Sequence, residues 1–181
     1  MESQSMCTKC VLPSSTPGIE FDRNGICNYC DTHMPVKVQG EEKLKESLDA
    51  FRGAGEKYDC LVCISGGRDS TYTLWKLVSD YKMGVLAFNY MNPFSSEQAR
   101  ANMQNALNIL GVDCVGWEFP NDVQRRATRK APEAWSHRPS STTIPIVCAH
   151  CKTWWPRAFQ IARDNNVSLI VIGSNPLETA S

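Results

Sequence analysis

The sequence predicts an α/β protein in which a doubly wound parallel sheet follows a small N-terminal zinc ribbon. Two observations predict the sheet: short apolar runs alternate with helical patterns from residue 59 onward, and a glycine-rich turn follows the first of these runs. Two C-x-x-C pairs within the first 30 residues predict the ribbon. We expect the ribbon at 1–38, a linking helix at 39–56 and an α/β domain at 57–181.

Composition limits the classes of partner. The 181 residues carry 19 Lys and Arg against 19 Asp and Glu. The formal net charge is therefore zero, and no overall electrostatic attraction favours a nucleic-acid partner. Residues 1–6 lack the pattern of a signal peptide and no later stretch could span a membrane, so we expect a cytoplasmic protein with no membrane contact. In that compartment nine cysteines are expected to be metal ligands, catalytic groups or core residues rather than disulfides.

The N-terminal segment pairs Cys7 with Cys10 and Cys27 with Cys30 at the spacing of a four-cysteine zinc ribbon. The residues between the pairs are rich in turn formers and poor in apolar runs, so this segment cannot build a hydrophobic core. We therefore expect bound zinc to supply its folding energy.

Within the linking segment at 39–56, the helical pattern itself covers 41–52. A longer helix between Ser95 and Gly111 is predicted from a capping box formed by Ser95 and Gln98. An irregular crossover is expected from Pro132 to Val147. Strands are predicted at 60–64, 84–89, 112–119 and 168–173, and further helices at 70–78, 121–130 and 152–165.

The turn Ser65-Gly66-Gly67-Arg68-Asp69-Ser70 lies between the first strand and a helix, where open parallel sheets bind ligands. Its two glycines allow close backbone approach, and successive N–H groups together with the helix N-terminus form a phosphate cradle. The spacing fits neither the P-loop nor the dinucleotide motif. Cys60 and Cys63, on the preceding strand, point to opposite faces of the sheet and are expected to pack in the core.

A third C-x-x-C pair, Cys148 and Cys151, precedes a helix. Its thiolates could bind an iron–sulfur cluster, bind a second zinc or act as a redox pair, and a purely structural pair is the alternative. An iron–sulfur cluster would need Cys114 or ligands outside this chain.

The predicted helix at 121–130 carries a basic cluster, which consists of Arg125, Arg126, Arg129 and Lys130. We expect it to be a solvated face; the alternative is that it binds a sugar-nucleotide diphosphate or RNA.

The string S-G-G-x-D-S resembles the pyrophosphate loop of the ATP pyrophosphatases, the adenine nucleotide alpha-hydrolase-like superfamily with a Rossmann-like fold. This resemblance implies that the loop, from Ser65 to Ser70 with Arg68 at a variable position, binds the pyrophosphate of ATP. It also implies that Asp69 and Ser70 are catalytic and that Asp69 helps to bind Mg²⁺ or to order the loop. Gly173 and Asn175 resemble a later G-x-N segment near the nucleotide.

The opening CTKCVLPSSTPGIEFDRNGICNYC, with YDCLVCISGGRDST and the pair at 148–151, resembles the N-acetyl sugar amidotransferases. Such enzymes use ATP to convert the acetamido group of a nucleotide-linked sugar to an acetamidino group in surface-polysaccharide synthesis of the O-antigen type, and a glutaminase subunit supplies the ammonia. Family members are longer, so we expect a C-terminally truncated member whose catalytic competence is open. The alternatives are a tRNA thiolation enzyme of the same superfamily and a non-catalytic zinc-ribbon and nucleotide-binding interaction module.

Overall fold

The computed structural model describes residues 5–35, 37–139 and 153–174. The chain divides into two compact units, Met1–Val38 and Gln39–Ser181. The first unit contains the short helix α1 (Asn28–Asp31) and two isolated antiparallel bridges, Met6 with Pro13 and Phe21 with Cys27. Among its described residues only Cys7 and Cys27 are buried, so this unit has no hydrophobic core there.

The second unit alternates strands and helices. The helix Arg68–Trp75 continues directly into a π-helical turn, Lys76–Asp80. A 3₁₀ turn, Pro120–Asp122, precedes the helix Val123–His137. The elements, in chain order, are α2 (Glu41–Asp49), β1 (Cys60–Cys63), α3 (Arg68–Trp75), β2 (Val85–Tyr90), α4 (Glu97–Leu110), β3 (Asp113–Trp117), α5 (Val123–His137), α6 (Trp155–Asp164) and β4 (Ile170–Ile172).

The four strands form one parallel sheet in the order β3-β2-β1-β4. Leu61 in the centre of β1 pairs with Leu86 of β2 and with Ile170 of β4. The chain moves outward from β1 to β3 and then returns to the other side of β1, so the strand order reverses between β1 and β4. This arrangement confirms the predicted doubly wound α/β fold and places a topological switch point beside β1.

Each face of the sheet has its own core. One cluster joins alternate residues of β1 and β2 to α2, α3 and α4, with Cys60, Val62, Leu74, Ala87 and Leu107 buried. The other joins Leu61, Leu86 and Phe88 to Ala158 and Ile161 of α6. Because both faces are covered, β1 and β2 are apolar almost throughout rather than alternating. In the part of the chain that the structure describes, no helix is long and apolar enough to cross a membrane.

Helix α4 begins one residue later than predicted. Ser96 is the N-cap, and its Oγ accepts a hydrogen bond from the Ala99 backbone N–H at 3.1 Å. The Ser95 capping box is therefore wrong: the backbone N–H of Ser95 donates to Asn92 O in the preceding turn. The predicted end is correct, since Gly111 adopts the left-handed conformation at φ 64°.

Helix α5 contradicts the predicted crossover, because it continues through Pro132 to His137. Proline removes one helical N–H and disfavours a helix interior, which is why the sequence pattern predicted a stop. The residues around it are good helix formers, and Lys130 pairs with Glu133 across the proline at 3.1 Å.

Candidate functional site

The glycine-rich loop leaves the carboxyl end of β1, at the switch point between β1 and β4. Ile64, the residue after β1, is buried and donates its backbone N–H to Phe88 O of β2 at 2.9 Å, so the start of the loop is fixed to the sheet. The other end of the loop becomes the first turn of α3 at Arg68. The loop is therefore held between a central strand and a packed helix, as the phosphate-cradle interpretation requires.

Gly66 has to be glycine for two independent reasons. Its φ of 80° lies in the left-handed region, which a residue with a side chain rarely adopts. A Cβ at this position would also overlap the carbonyl oxygen of Ala99 in the first turn of α4. The loop backbone thus runs directly against α4, and this approach fixes its path.

The serines at the two ends of the loop hold it closed. Ser70 Oγ accepts from the Ser65 backbone N–H at 3.2 Å and donates to Gly67 O, also at 3.2 Å. The two hydroxyl oxygens are 3.1 Å apart, and Ser65 Oγ accepts from the Gly67 N–H at 3.3 Å. The structure therefore brings the predicted residues Ser65, Gly67 and Ser70 into one hydrogen-bonded turn.

Gly67 is the N-cap of helix α3, and no side chain caps the helix there. The first N–H groups of a helix have no intrahelical acceptor, and here no capping side chain satisfies them. They form the positive end of the helix dipole and face the same corner as the loop. A phosphate group could accept hydrogen bonds from them without displacing a cap.

Asp69 lies in this first turn with an exposed carboxylate. Its Oδ1 accepts from Arg68 Nε at 3.0 Å, and the Arg68 side chain is 92% exposed. An ion pair this exposed contributes about 0–1 kcal/mol, so the carboxylate can exchange its partner for a cation at little cost. Asp69 is therefore suited to the predicted role of holding Mg²⁺ beside a bound phosphate.

Gly173 follows β4 and reaches the same place from the other strand. A Cβ there would collide with Thr73 Oγ1 and would lie 2.8 Å from Asp69 O, so the end of β4 touches the first turns of α3. This contact places Gly173 beside the loop. Asn175, the other residue of that segment, lies outside the described residues.

A cavity of about 240 Å³ lies over the loop and is called the loop cavity here. Ser65, Ser70 and Gly173 contribute to its polar side. Its apolar wall consists of aromatic and aliphatic side chains, namely Phe88, Tyr90, Trp154, Ile64 and Ile172. The combination of a polar loop and an aromatic wall fits a ligand with a phosphate at one end and a planar ring at the other.

These aromatic residues were not among the site residues predicted from the sequence. Phe88 and Tyr90 are alternate residues at the carboxyl end of β2, and the Phe88 ring lies 6.0 Å from the Trp154 ring. Burial raises the pKa of the Tyr90 phenol to about 12, so it stays protonated at neutral pH. Their position next to the glycine-rich turn was predictable from strand order, but Trp154 is brought there only by the packing of α6.

Cys60 and Cys63 lie on opposite faces of β1, as predicted. Cys60 is fully buried in the core on the α3 side, and Cys63 packs against the core on the α6 side. Burial raises the pKa of both thiols to about 12. Neither thiol is therefore a ready metal ligand or nucleophile, and the prediction of core packing is confirmed.

In the N-terminal unit the four predicted zinc ligands converge. The sulfur atoms of Cys7, Cys10, Cys27 and Cys30 all lie within 4.8 Å of one another, with Cys7 to Cys30 at 3.9 Å and Cys10 to Cys27 at 3.6 Å. Tetrahedral zinc with Zn–S bonds of about 2.3 Å needs sulfurs about 3.8 Å apart. This group could therefore hold a zinc ion with little rearrangement.

Backbone N–H groups point at one of these sulfurs. Lys9 N and Cys27 N lie 3.4 and 3.3 Å from Cys7 Sγ. Burial raises the pKa of the Cys7 thiol, but the N–H groups of Cys10, Lys9 and Cys27 outweigh burial and lower it to about 6. The pKa of Cys30 is raised to about 12 by its hydrogen bond to Cys10 and by burial. Four sulfurs this close can all be thiolates only with a cation between them, which is what zinc would supply.

The third cysteine pair, Cys148 and Cys151, lies outside the described residues, so its predicted roles stay predictions. Cys114, the additional ligand considered for a cluster, is on β3 and lines a different groove.

Comparison with known proteins supports the fold. The NH3-dependent NAD synthetase of Campylobacter jejuni superposes with a TM-score of 0.52 at 14% identity, covering 76% of this chain and 55% of that one. The glutamine-dependent NAD+ synthetase of Acinetobacter baumannii gives a TM-score of 0.56 at 15% identity, covering 90% and 31%. For the NMN synthetase of Francisella tularensis the TM-score is 0.51 at 14% identity, and the coverage is 76% and 52%.

No protein-family model matches the chain. A curated relative, an uncharacterized protein of Methanocaldococcus jannaschii, is 30% identical over 107 residues, which are 57% of this chain and 38% of that protein. The chain thus spans well under half of this relative's length. At 14–15% identity these structural likenesses show the fold alone: the chain has an NAD synthetase-like α/β fold.

Proposed function

We propose that this chain carries the ATP-binding part of an enzyme that activates a substrate oxygen by adenylation. The observation that carries the proposal is the loop from Ser65 to Ser70, held at the switch point between β1 and β4 with the uncapped N-terminus of α3 behind it. The fold neighbour from Acinetobacter baumannii, solved in complex with ADP, supports a nucleotide ligand for this fold.

In this proposal, different groups of the loop bind different parts of ATP. The backbone N–H groups at the start of α3 and the hydroxyls of Ser65 and Ser70 would bind the β- and γ-phosphates, which leave as pyrophosphate. Asp69 would hold Mg²⁺, and that ion would neutralise the charge of the leaving group. Tyr90 and Trp154 would give the base an apolar wall. Catalysis would then rest on positioning and charge stabilisation, with no side-chain nucleophile.

The particular reaction we propose is conversion of an acetamido group on a nucleotide-linked sugar to an acetamidino group. The amide oxygen attacks the α-phosphorus of ATP, pyrophosphate leaves, and the amide becomes an O-adenylated imidate. Ammonia, delivered by a glutaminase subunit, then attacks the imidate carbon, and AMP leaves with the oxygen. The support for this choice is the sequence of the cysteine unit together with the S-G-G-x-D-S loop.

Zinc would have a structural role in this scheme. The four-cysteine group belongs to the N-terminal unit, whose described residues bury little except two of the ligands themselves. A metal ion would thus replace the missing core of that unit and take no part in the adenylation.

The test is exchange of labelled pyrophosphate into ATP, measured with N-acetylated nucleotide sugars as acceptors. We expect exchange that depends on the acceptor, and, with ammonium added, AMP and a product in which NH has replaced one oxygen. Ser70→Ala removes the hydroxyl that joins Ser65 to Gly67 and should lower exchange at least tenfold, whereas Ser47→Ala removes an equivalent hydroxyl on α2 and should leave it unchanged.

The same assay separates the alternatives. Formation of AMP only with tRNA would replace the sugar reaction with tRNA thiolation. A lack of exchange with every acceptor, in a chain that still binds ATP, would leave the non-catalytic interaction module.

A further inference from the structure

A second and larger groove opens beside the loop cavity. It has a volume of about 990 Å³ and lies between β3, α4 and the start of α5; we call it the β3–α4 groove. Ser65, Asn92 and Ser95 line both this groove and the loop cavity, so the two spaces meet at the carboxyl end of β2. A ligand in the groove would therefore end next to the phosphate loop.

Two guanidinium groups from different helices line this groove. Arg100 is in the first turns of α4, and its Nη1 donates to Ser95 O at 2.5 Å. Arg125 is in the first turn of α5, with its guanidinium 5.9 Å from the Phe94 ring and its Nε 3.2 Å from Asp122 Oδ1. The Arg125 and Asp122 side chains are 57% and 62% exposed, so this pair is weak and can be exchanged for a phosphate.

The remaining wall is polar and suited to hydroxyl groups. Gln104 and Asn108 present amides from α4, and Glu118 contributes a carboxylate from the segment after β3. Gly116 leaves room in the floor, since a Cβ there would lie 3.0 Å from Met91 Sδ. Amides and a carboxylate beside two guanidinium groups match a ligand that carries both phosphate and many hydroxyls.

We propose that the β3–α4 groove binds the acceptor as a nucleoside diphosphate-linked sugar, with Arg100 and Arg125 holding the diphosphate. The inference rests on the proposed function and adds the site of its second substrate. The diphosphate lies between the two helices, the hydroxyls face Gln104 and Asn108, and the acetamido group reaches the Ser65 end of the groove, beside the α-phosphate of ATP. Of the basic cluster on α5, only Arg125 is among the residues that line the groove.

The test is calorimetric binding of UDP and of UDP-N-acetylglucosamine to the full chain, with and without α,β-methylene ATP and Mg²⁺. These probes share the diphosphate with other nucleotide-linked sugars. We expect both probes to bind while the ATP analogue is bound. Arg100→Gln and Arg125→Gln should each weaken their binding about tenfold, because each removes a charge-assisted contact to phosphate, and should leave the affinity for the ATP analogue within about twofold.

Arg126→Gln is the matched control, since it makes the same charge change on the same helix at an exposed residue outside the groove. Competition between UDP-N-acetylglucosamine and the ATP analogue, equal losses in the Arg126 variant, or no binding of either probe would overturn the inference. So would tRNA binding that Arg100→Gln and Arg125→Gln weaken while sugar-nucleotide binding is unaffected. Failure of the proposed function is distinct, because the ATP analogue itself would then not bind or pyrophosphate exchange would be absent.

Discussion

Replacing Gly66 with alanine tests the geometry on which the nucleotide site depends. Two costs arise from the structure. Placing a residue with a Cβ at φ 80° costs about 1–2 kcal/mol. The new Cβ also overlaps the Ala99 carbonyl, and relieving that overlap by moving the loop or α4 costs roughly 1–3 kcal/mol more.

Gly111→Ala separates these two costs. Gly111 is also left-handed, at φ 64°, but a Cβ there meets nothing within 4 Å, so this variant carries the backbone cost alone. We expect Gly66→Ala to lower the free energy of unfolding by about 2–5 kcal/mol and Gly111→Ala by about 1–2 kcal/mol. The Gly66 variant should also lose ATP binding, which the Gly111 variant should keep.

The assay is urea unfolding followed by tryptophan fluorescence. All five tryptophans belong to the second unit, so the signal reports on the sheet without interference from the cysteine unit. Equal losses in the two variants, within about 0.5 kcal/mol, would refute the close approach of the loop to α4. The account of the phosphate cradle would then be wrong as well.

Three further outcomes follow from the same structure. Cys27→Ala should remove one zinc ion per chain, measured by elemental analysis, whereas Cys114→Ala should not; equal zinc contents would contradict the four-sulfur site. Burial raises the pKa of Cys63 from 9.0 to about 12, so its contribution to stability is complete below pH 9 and is lost as pH rises toward 12, by at most about 1.4 kcal/mol per pH unit. Cys63→Ala should therefore flatten the decline of unfolding free energy between pH 9 and 11, and an unchanged slope would show that this thiol is not buried. Asp69→Asn should weaken Mg²⁺-dependent ATP binding with a change in unfolding free energy below about 1 kcal/mol, since its ion pair is exposed; a larger loss of stability would mean that the carboxylate supports the loop itself.

Local signals predicted the strands and helices well where one short pattern decides the outcome. One example is the apolar run at Cys60 to Ile64, because a strand that is buried on both faces is apolar at successive positions. Another is the end of α4 at Gly111, because a left-handed C-terminal position favours glycine. Ser95 and Pro132 were misread because the pattern was ambiguous: two serines stand side by side before α4, and a proline in a helix is costly without being forbidden.

The candidate site was predictable to the same extent. The residues of the loop and the four N-terminal cysteines are motifs of fixed spacing, and the structure brings each set together. Arg125 was recognised only as part of the basic cluster, for which a sugar-nucleotide diphosphate was the alternative ligand. Trp154 and Arg100 were not recognised as lining residues, because each comes from a separate element and no local sequence pattern marks it.

The sequence by itself therefore determined the order of strands and helices along the chain, the position of the glycine-rich loop and the spacing of the four N-terminal cysteines. These features depend on contacts within a few residues, or on ligand types that are recognisable wherever they stand. Only the tertiary structure decided that the strand order is β3-β2-β1-β4, that Gly66 touches α4, and that two spaces meet at Ser65. Those features depend on how distant segments pack, and packing is fixed by the burial of whole faces rather than by any short motif.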